Sequence, residues 1–183
     1  MAEVTDRPAT AHRAVAEAEV AMSQETLSAI IDGAIAKGDV LSVAELAGVM
    51  AGKRAGDLIP LVHPGGLTAL LVNASPDRAA SAVRIRAETA AVGQTGVEME
   101  ALTAAAVASL TVFDMIRDLE PDAVVRSIRL MSSSDGVSNE WRRPGDQAAA
   151  PRPPKGVRTV GRIATSVPRG PGSFGPAPRK RSS

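Results

Sequence analysis

The chain has 183 residues, of which 44% are hydrophobic and 22% charged, and its formal net charge is +1. This length suits one domain, or one domain with a tail, and the apolar fraction excludes general disorder. The absence of cysteine excludes disulfides and thiolate metal sites, and two histidines are too few for a histidine-based zinc site in one chain. With two phenylalanines, one tryptophan and no tyrosine, a base-stacking platform for nucleic acid is not expected.

The sequence also argues against a membrane span and against secretion. No uninterrupted apolar stretch approaches the roughly 20 residues that a membrane-spanning helix needs. The amino terminus carries Glu3 and Asp6 and lacks an apolar signal core. We therefore expect a bacterial cytoplasmic protein without a membrane partner.

The net charge is near zero only because two regions of opposite sign cancel. Residues 142–183 hold ten basic residues and one acid, which gives +9, whereas residues 1–141 hold 11 basic and 19 acidic residues, which gives −8. Eight of the 13 prolines also lie in residues 142–183. We predict a basic, Pro/Gly/Arg-rich disordered tail there, because so little apolar surface cannot offset the entropy of ordering it. An electrostatic contact with nucleic acid or with the acidic domain of a neighbouring subunit is the alternative.

Hydrophobic periodicity divides residues 1–141, the predicted folded domain, into seven helices and strands. In chain order it predicts a half-buried strand (14–22), a helix capped by Ser23 that ends at Gly38, a helix that opens with a capping box at Ser42 and Glu45 and runs to about residue 54, a rigid extended connection (58–64), two strands (67–72 and 82–92), a long helix (97–119) and a last strand (124–131). This order predicts an α+β domain with a mainly antiparallel sheet packed on helices.

The long predicted helix carries charged residues at both ends. Glu98 and Glu100 fall in its first turn, where the helix dipole alone favours acids. Asp114 and Arg117 lie one turn apart near the other end, and Asp114 follows the apolar residues 110–113. A charge in such a stretch needs a partner or a function, although an ordinary ion pair within the helix is the simpler alternative.

A histidine and several cations outside this helix are further candidates. His63 lies in a rigid, non-helical segment, where histidines are more often functional than on an apolar helix face. Lys37, Lys53 and Arg54 lie near helix ends or glycine turns, where they suit phosphate groups or merely favour the carboxyl end of a helix. The sequence has no Walker A loop, dinucleotide fingerprint or nucleophile elbow. The residues alone thus predict a His/Lys/carboxylate site with an open choice of substrate.

Short strings in the sequence match one known family in uninterrupted order within residues 3–141. The strings are Lys37–Val40, Ala47–Met50, Lys53–Arg54, Asp57–Leu61, His63–Pro64, Thr95–Ala104 and Val107–Met115. The most specific is Thr-Gly-Val-Glu-Met-Glu-Ala-Leu-Thr before a downstream Asp-Met. In these strings the chain resembles the MoaC family, the cyclic pyranopterin monophosphate synthases of molybdenum cofactor biosynthesis.

The resemblance implies a ferredoxin-like subunit of a homohexamer, a trimer of dimers, with sites between subunits. It implies a lyase that converts (8S)-3′,8-cyclo-7,8-dihydroguanosine 5′-triphosphate to cyclic pyranopterin monophosphate and diphosphate; we predict no cofactor and no metal. By position, Asp114 and Lys37 match catalytic residues, and Arg117 stands where the family has a catalytic lysine. The positions that match substrate contacts, or lie close to them, are Leu61, Val62, His63, Met99, Glu100, Glu98 and Lys53.

Several departures from the family remove cations. Arg117 replaces a lysine, and an arginine side chain stays protonated and is a poor proton shuttle. Family lysines are replaced by Gln94, Ser133 and Val137, and His12 stands where an arginine is expected. The alternative function is therefore a catalytically weak or inactive homologue that acts as an oligomeric pterin- or nucleotide-binding or regulatory subunit.

Overall fold

The computed structural model describes residues 3–63, 65–137 and 140–144, and nine helices and strands lie within them. In chain order these are β1 (Thr10–Ala21), α1 (Gln24–Ile31), α2 (Val40–Gly52), α3 (Ala55–Leu58), β2 (Leu67–Asp77), β3 (Ala82–Gly93), α4 (Glu98–Ile116), β4 (Val124–Ser134) and β5 (Glu140–Arg142).

The five strands form one antiparallel sheet in the order β2-β3-β1-β4-β5. Strands β1 to β4 are joined in the split β-α-β arrangement, in which β1 and β3 lie next to each other in the centre. This is the ferredoxin-like strand order. It confirms the predicted α+β class with a mainly antiparallel sheet packed on helices.

Small side chains form the core between the sheet and the helices. Alternation along β1 buries Ala14, Ala16, Ala18 and Val20 on one face, while the residues between them are half-buried or exposed. Opposite this face, α4 buries a row of alanines. Because alanine adds little bulk, these side chains allow the helices to pack close to the sheet.

Helices α2 and α4 approach each other through glycine and alanine. A Cβ added at Gly48 would lie 3.0 Å from the carbonyl oxygen of Ala104 and 3.2 Å from the Cβ of Ala108. One turn later, a Cβ at Gly52 would lie 3.2 Å from the carbonyl oxygen of Glu100. The glycines therefore allow a close contact that fixes the beginning of α4 beside the end of α2.

Helix α4 is a core helix of this domain. Among the described residues, it is the one helix long and apolar enough to cross a membrane. However, 56% of its apolar stretch is buried inside the domain. A buried core helix passes the same test of length and composition as a membrane span, so this finding is weak support for a membrane location.

The first helix begins as predicted and ends earlier. Ser23 caps α1, and its Oγ accepts a hydrogen bond from the backbone N–H of Thr26 at 3.1 Å. The helix stops at Ile31, short of the predicted end at Gly38, because the chain turns at Gly33 with a φ of +67°. The residues up to Gly38 form a loop instead.

The predicted capping box at Ser42 is wrong. Asp39 is the N-cap of α2, and its carboxylate accepts hydrogen bonds from the backbone N–H of Ser42 at 3.1 Å and from its hydroxyl at 2.6 Å. The Ser42 hydroxyl is the main reason why the pKa of Asp39 lies below its ordinary value. Glu45, the predicted acid of the box, accepts from the backbone N–H of Ala74 in β2 at 2.9 Å.

Two short elements, α3 and β5, are absent from the sequence-based prediction. Strand β5 pairs Trp141 with Ser133, and the backbone N–H of Arg143 donates to the carbonyl oxygen of Met131 at 2.9 Å. Arg142 and Arg143, which the predicted boundary assigns to the tail, therefore pair with β4. Residues 145–183, the remainder of the predicted disordered tail, lie outside the described residues.

Candidate active site

The first group of candidate residues lies where α4 ends. Asp114 is in the last turn of the helix, Arg117 is its C-cap, and Asp118 follows in the next turn of the chain. Lys37 comes from the loop between α1 and α2, and its Nζ donates to the backbone oxygen of Asp114 at 2.5 Å. The structure therefore brings together the three predicted catalytic residues.

Two carboxylates and two cations alternate here, and we call them the ion ring (Lys37, Asp114, Arg117 and Asp118). Lys37 Nζ lies 3.6 Å from Asp114 Oδ2 and 3.7 Å from Asp118 Oδ2. Arg117 Nε lies 3.4 Å from Asp114 Oδ1 and 3.9 Å from Asp118 Oδ1. Each carboxylate thus gives one oxygen to each cation. Because all four side chains are partly exposed, each pair adds only about 0–1 kcal/mol of stability.

A cavity of about 250 Å³ opens beside the ion ring. Ile35, Met115 and Leu119 make its wall mostly apolar, while Lys37 and Asp118 add charge at one side. Such a combination suits a ligand that has an apolar part and a charged part. The sequence-based prediction missed this cavity and Asp118, although the four-residue spacing between Asp114 and Asp118 places both on one side of a helix.

The second group of candidate residues lies at the other end of α4. A cavity of about 220 Å³ opens between the end of α2, α3 and the start of α4. Lys53, Arg54, Asp57 and Glu100 are the charged residues that line it. Two of these, Lys53 and Glu100, are predicted substrate contacts, and the structure places them at one cavity.

Glu100 is the most unusual ionisable group of this second cavity. Glu100 is only 6% exposed, and its Oε2 has no hydrogen-bond partner among the described residues. Burial raises the pKa of Glu100, and the negative charge of Glu98 adds to the increase. Such a carboxyl holds a proton more readily than an exposed glutamate, so it can donate to or accept from a ligand. No group of three or more His, Asp or Glu side chains in the described part of the chain is placed to hold a metal ion.

The remaining predicted substrate contacts flank this region. Leu61, Val62 and His63 follow α3 in a segment without regular structure, and Leu61 is 69% exposed. His63 contributes to the lowered pKa of Glu3, whose main cause is a hydrogen bond from the Thr5 hydroxyl.

Glu98 and Met99 begin α4 and are half-buried. The carboxylate of Glu98 folds back over Gly96 and leaves no room for a Cβ there. Because the carboxylate is the end of a flexible side chain, a larger residue at position 96 would require only that Glu98 move.

The two groups of candidate residues do not form one pocket within a chain. Glu100 and Asp114 are 14 residues apart on the same helix, which corresponds to about 21 Å along its axis. One chain thus separates the predicted catalytic residues from most of the predicted substrate contacts.

The departures from the family other than Arg117 lie outside the ion ring. Gln94 donates to two backbone carbonyls of the amino-terminal segment, at 3.2 and 3.1 Å. His12 is buried in β1, with its Nε2 3.1 Å from the carbonyl oxygen of the residue before Gln94. Ser133 lies in β4, and Val137 is 70% exposed. At Gln94, a structural hydrogen bond thus takes the place of a charge.

The fold and the two groups of residues define an α+β protein of ferredoxin-like topology with charged sites at both ends of one helix. A family model described as the MoaC family matches residues 1–136. A cyclic pyranopterin monophosphate synthase of Chloroflexus aurantiacus is 46% identical over 144 residues, which are 79% of this chain and 88% of that protein. The synthase of Brucella ovis is 47% identical over 141 residues, which are 77% of this chain and 86% of that protein. The chain belongs to the MoaC family, as the sequence motifs predicted.

Proposed function

We propose that the chain catalyses the cyclic pyranopterin monophosphate synthase reaction of molybdenum cofactor biosynthesis. In this reaction a lyase converts (8S)-3′,8-cyclo-7,8-dihydroguanosine 5′-triphosphate to cyclic pyranopterin monophosphate and diphosphate. The observation that carries the proposal is that Lys37, from the loop between α1 and α2, meets Asp114 and Arg117 at the end of α4, in a chain whose relatives bear this name.

In the proposed mechanism, the ion ring handles protons and phosphate charge. Asp114 acts as the general acid or base, because its half-exposed carboxylate can exchange a proton with a bound substrate. Lys37 stabilises the negative charge that develops next to Asp114 and can donate a proton. Arg117 binds phosphate oxygens, because a guanidinium presents several donors in one plane and keeps its charge.

The residues at the beginning of α4 bind the rest of the substrate in this proposal. The buried carboxyl of Glu100 is suited to the ring nitrogens of a purine or pterin, which offer both donors and acceptors. Lys53 lines the same cavity and suits a phosphate. The other proposed contacts are Leu61, Val62, His63, Glu98 and Met99.

We further propose that two chains complete each site. The separation of about 21 Å between Glu100 and Asp114 supports this, because one nucleotide cannot easily engage both ends of α4 in a single chain. The proposed assembly is a homohexamer, a trimer of dimers, and we assign it to the cytoplasm. No nucleic-acid or membrane partner is part of the proposal.

The test is turnover of the cyclic nucleotide triphosphate by the purified chain and by Asp114→Asn. Asparagine has nearly the same shape but cannot accept a proton at neutral pH, so we expect the rate to fall by about 100-fold or more. The melting temperature should stay nearly unchanged, because the exposed ion pairs of Asp114 contribute little stability.

The matched control is Asp122→Asn, because Asp122 is exposed and forms no ion pair with any described residue. It removes the same charge and should keep the rate of the parent chain. An active parent whose rate survives Asp114→Asn would show that Asp114 is only an ion-pair partner. A chain that binds the substrate without converting it would contradict the proposed catalysis.

A further inference from the structure

Asp118 is the member of the ion ring to which the proposed mechanism gives no role. It lies beyond the last residue of α4, and its side chain is 77% exposed, compared with 59% for Asp114. It is also the more distant partner of both cations. Its distances of 3.7 Å to Lys37 and 3.9 Å to Arg117 exceed the 3.6 and 3.4 Å of Asp114.

Asp114 and Asp118 therefore contact the same two cations in different ways. Asp114 is part of the helix, and its backbone oxygen also accepts from Lys37 at 2.5 Å. Asp118 holds the cations through its side chain alone among the described contacts. When an anion reaches the ion ring, Asp118 is thus the partner that it can replace at the lower cost.

A phosphate competes for the same donors as a carboxylate, because both present oxygens to ammonium and guanidinium groups. With Asp118 in place, the two cations of the ion ring are balanced by two carboxylates. A phosphate that displaces Asp118 would find Lys37 and Arg117 already positioned beside Asp114.

We propose that Asp118 is a positioning residue, which holds Lys37 and Arg117 beside Asp114 in the free protein and releases them to a phosphate of the substrate. The proposal rests on the proposed function, because it takes the ion ring as the reacting centre. It assigns Asp118 two effects: it weakens phosphate binding, and it keeps the cations in place before binding.

Binding of inorganic tripolyphosphate to the full chain, measured by titration calorimetry, tests the first effect. Asp118→Asn should bind about two- to fivefold more tightly than the parent, the range expected for the loss of one exposed competing charge. Asp122→Asn removes the same charge away from the ion ring and should bind like the parent. Asp118→Glu keeps the charge and should restore the affinity of the parent.

Turnover tests the second effect. Asp118→Asn should lower both KM and kcat, because phosphate binds more readily while the cations are less well placed. A merely structural role would lower the melting temperature without lowering KM. Equal tripolyphosphate affinity in Asp118→Asn and Asp122→Asn, or no binding to any variant, would overturn the proposal. Because tripolyphosphate binding needs no turnover, a chain that shows the Asp118 effect without converting substrate would contradict only the proposed catalysis.

Discussion

At the scale of single residues, Glu100 is buried, and its Oε2 accepts no hydrogen bond from any described residue. Its folded-state pKa lies above the ordinary value of 4.5, mainly because burial disfavours the charged form. The folded state therefore binds this proton more readily than the unfolded state. The stability that follows from this is present below about pH 4.5 and is lost as the pH rises through the folded-state pKa.

We expect Glu100→Gln to be more stable than the parent at pH 7.5, by about 1 kcal/mol, because it removes a buried charge while keeping the shape. The difference should shrink towards zero as the pH falls below 4.5, because the parent carboxyl then becomes protonated in both states. Urea unfolding at pH 4 and pH 7.5 measures both quantities. A difference of the same size at both pH values would show that ionisation of Glu100 is not its cause.

Arg117 stands where the family has a lysine, and both of its ion pairs within the described residues use Nε. The two Nη groups can then serve a phosphate. We expect Arg117→Lys to weaken tripolyphosphate and substrate binding by several-fold, since a single ammonium cannot replace the planar donor set. Arg126→Lys, on the sheet beside Glu19, is the control and should bind normally. A higher rate with unchanged affinity would instead identify Arg117 as a defect that lysine repairs.

The sequence predicted part of the ion ring and left part of it out. Asp114 and Arg117 are one turn apart, so helical spacing alone brought them together. Lys37 is 77 residues from Asp114, and only the family motif connected them. Asp118 belongs to no motif. Its contact with Lys37 depends on the position of the Lys37 ammonium group in the folded chain. Contacts between distant segments follow from the fold and not from local spacing.

At the scale of elements, the predictions were good where one face is buried and poor elsewhere. The alternation of β1 and the Ser23 N-cap of α1 follow from local chemistry, so the sequence predicted this strand and the start of α1. The strand was predicted over 14–22, however, and the structure starts it four residues earlier, at Thr10. Strand β5 has three exposed residues and thus no hydrophobic pattern. Helix α3 has four residues, which are too few to show a hydrophobic pattern. For α2, two residues could cap the helix, and Asp39 does so because its carboxylate reaches the N–H and the hydroxyl of Ser42 together.

At the scale of the whole molecule, the proposed homohexamer needs an apolar surface between chains, and a stripe on α2 is a candidate for it. Val43, Leu46 and Met50 are exposed at the spacing of one helix face, and Leu110 is exposed on the neighbouring α4. Single exposed apolar residues are ordinary, but a stripe along a helix is typical of an interface. We expect a mass near six copies of the 18.8 kDa chain by light scattering, and dissociation by Leu46→Glu. Leu71→Glu, on the other face of the sheet, is the control; a monomeric parent at micromolar concentration would contradict the hexamer.

The same assembly makes a sharper prediction about where each site is built. If one chain supplies Asp114 and its partner supplies Glu100, then Asp114→Asn and Glu100→Gln inactivate different halves of the site. Each variant alone should be nearly inactive. Co-expressed in equal amounts, they should recover about a quarter of the parent turnover, because random pairing makes half of the dimers mixed and one of the two sites in a mixed dimer is intact. If both residues served a site within one chain, every chain would carry a defect and mixing would recover nothing.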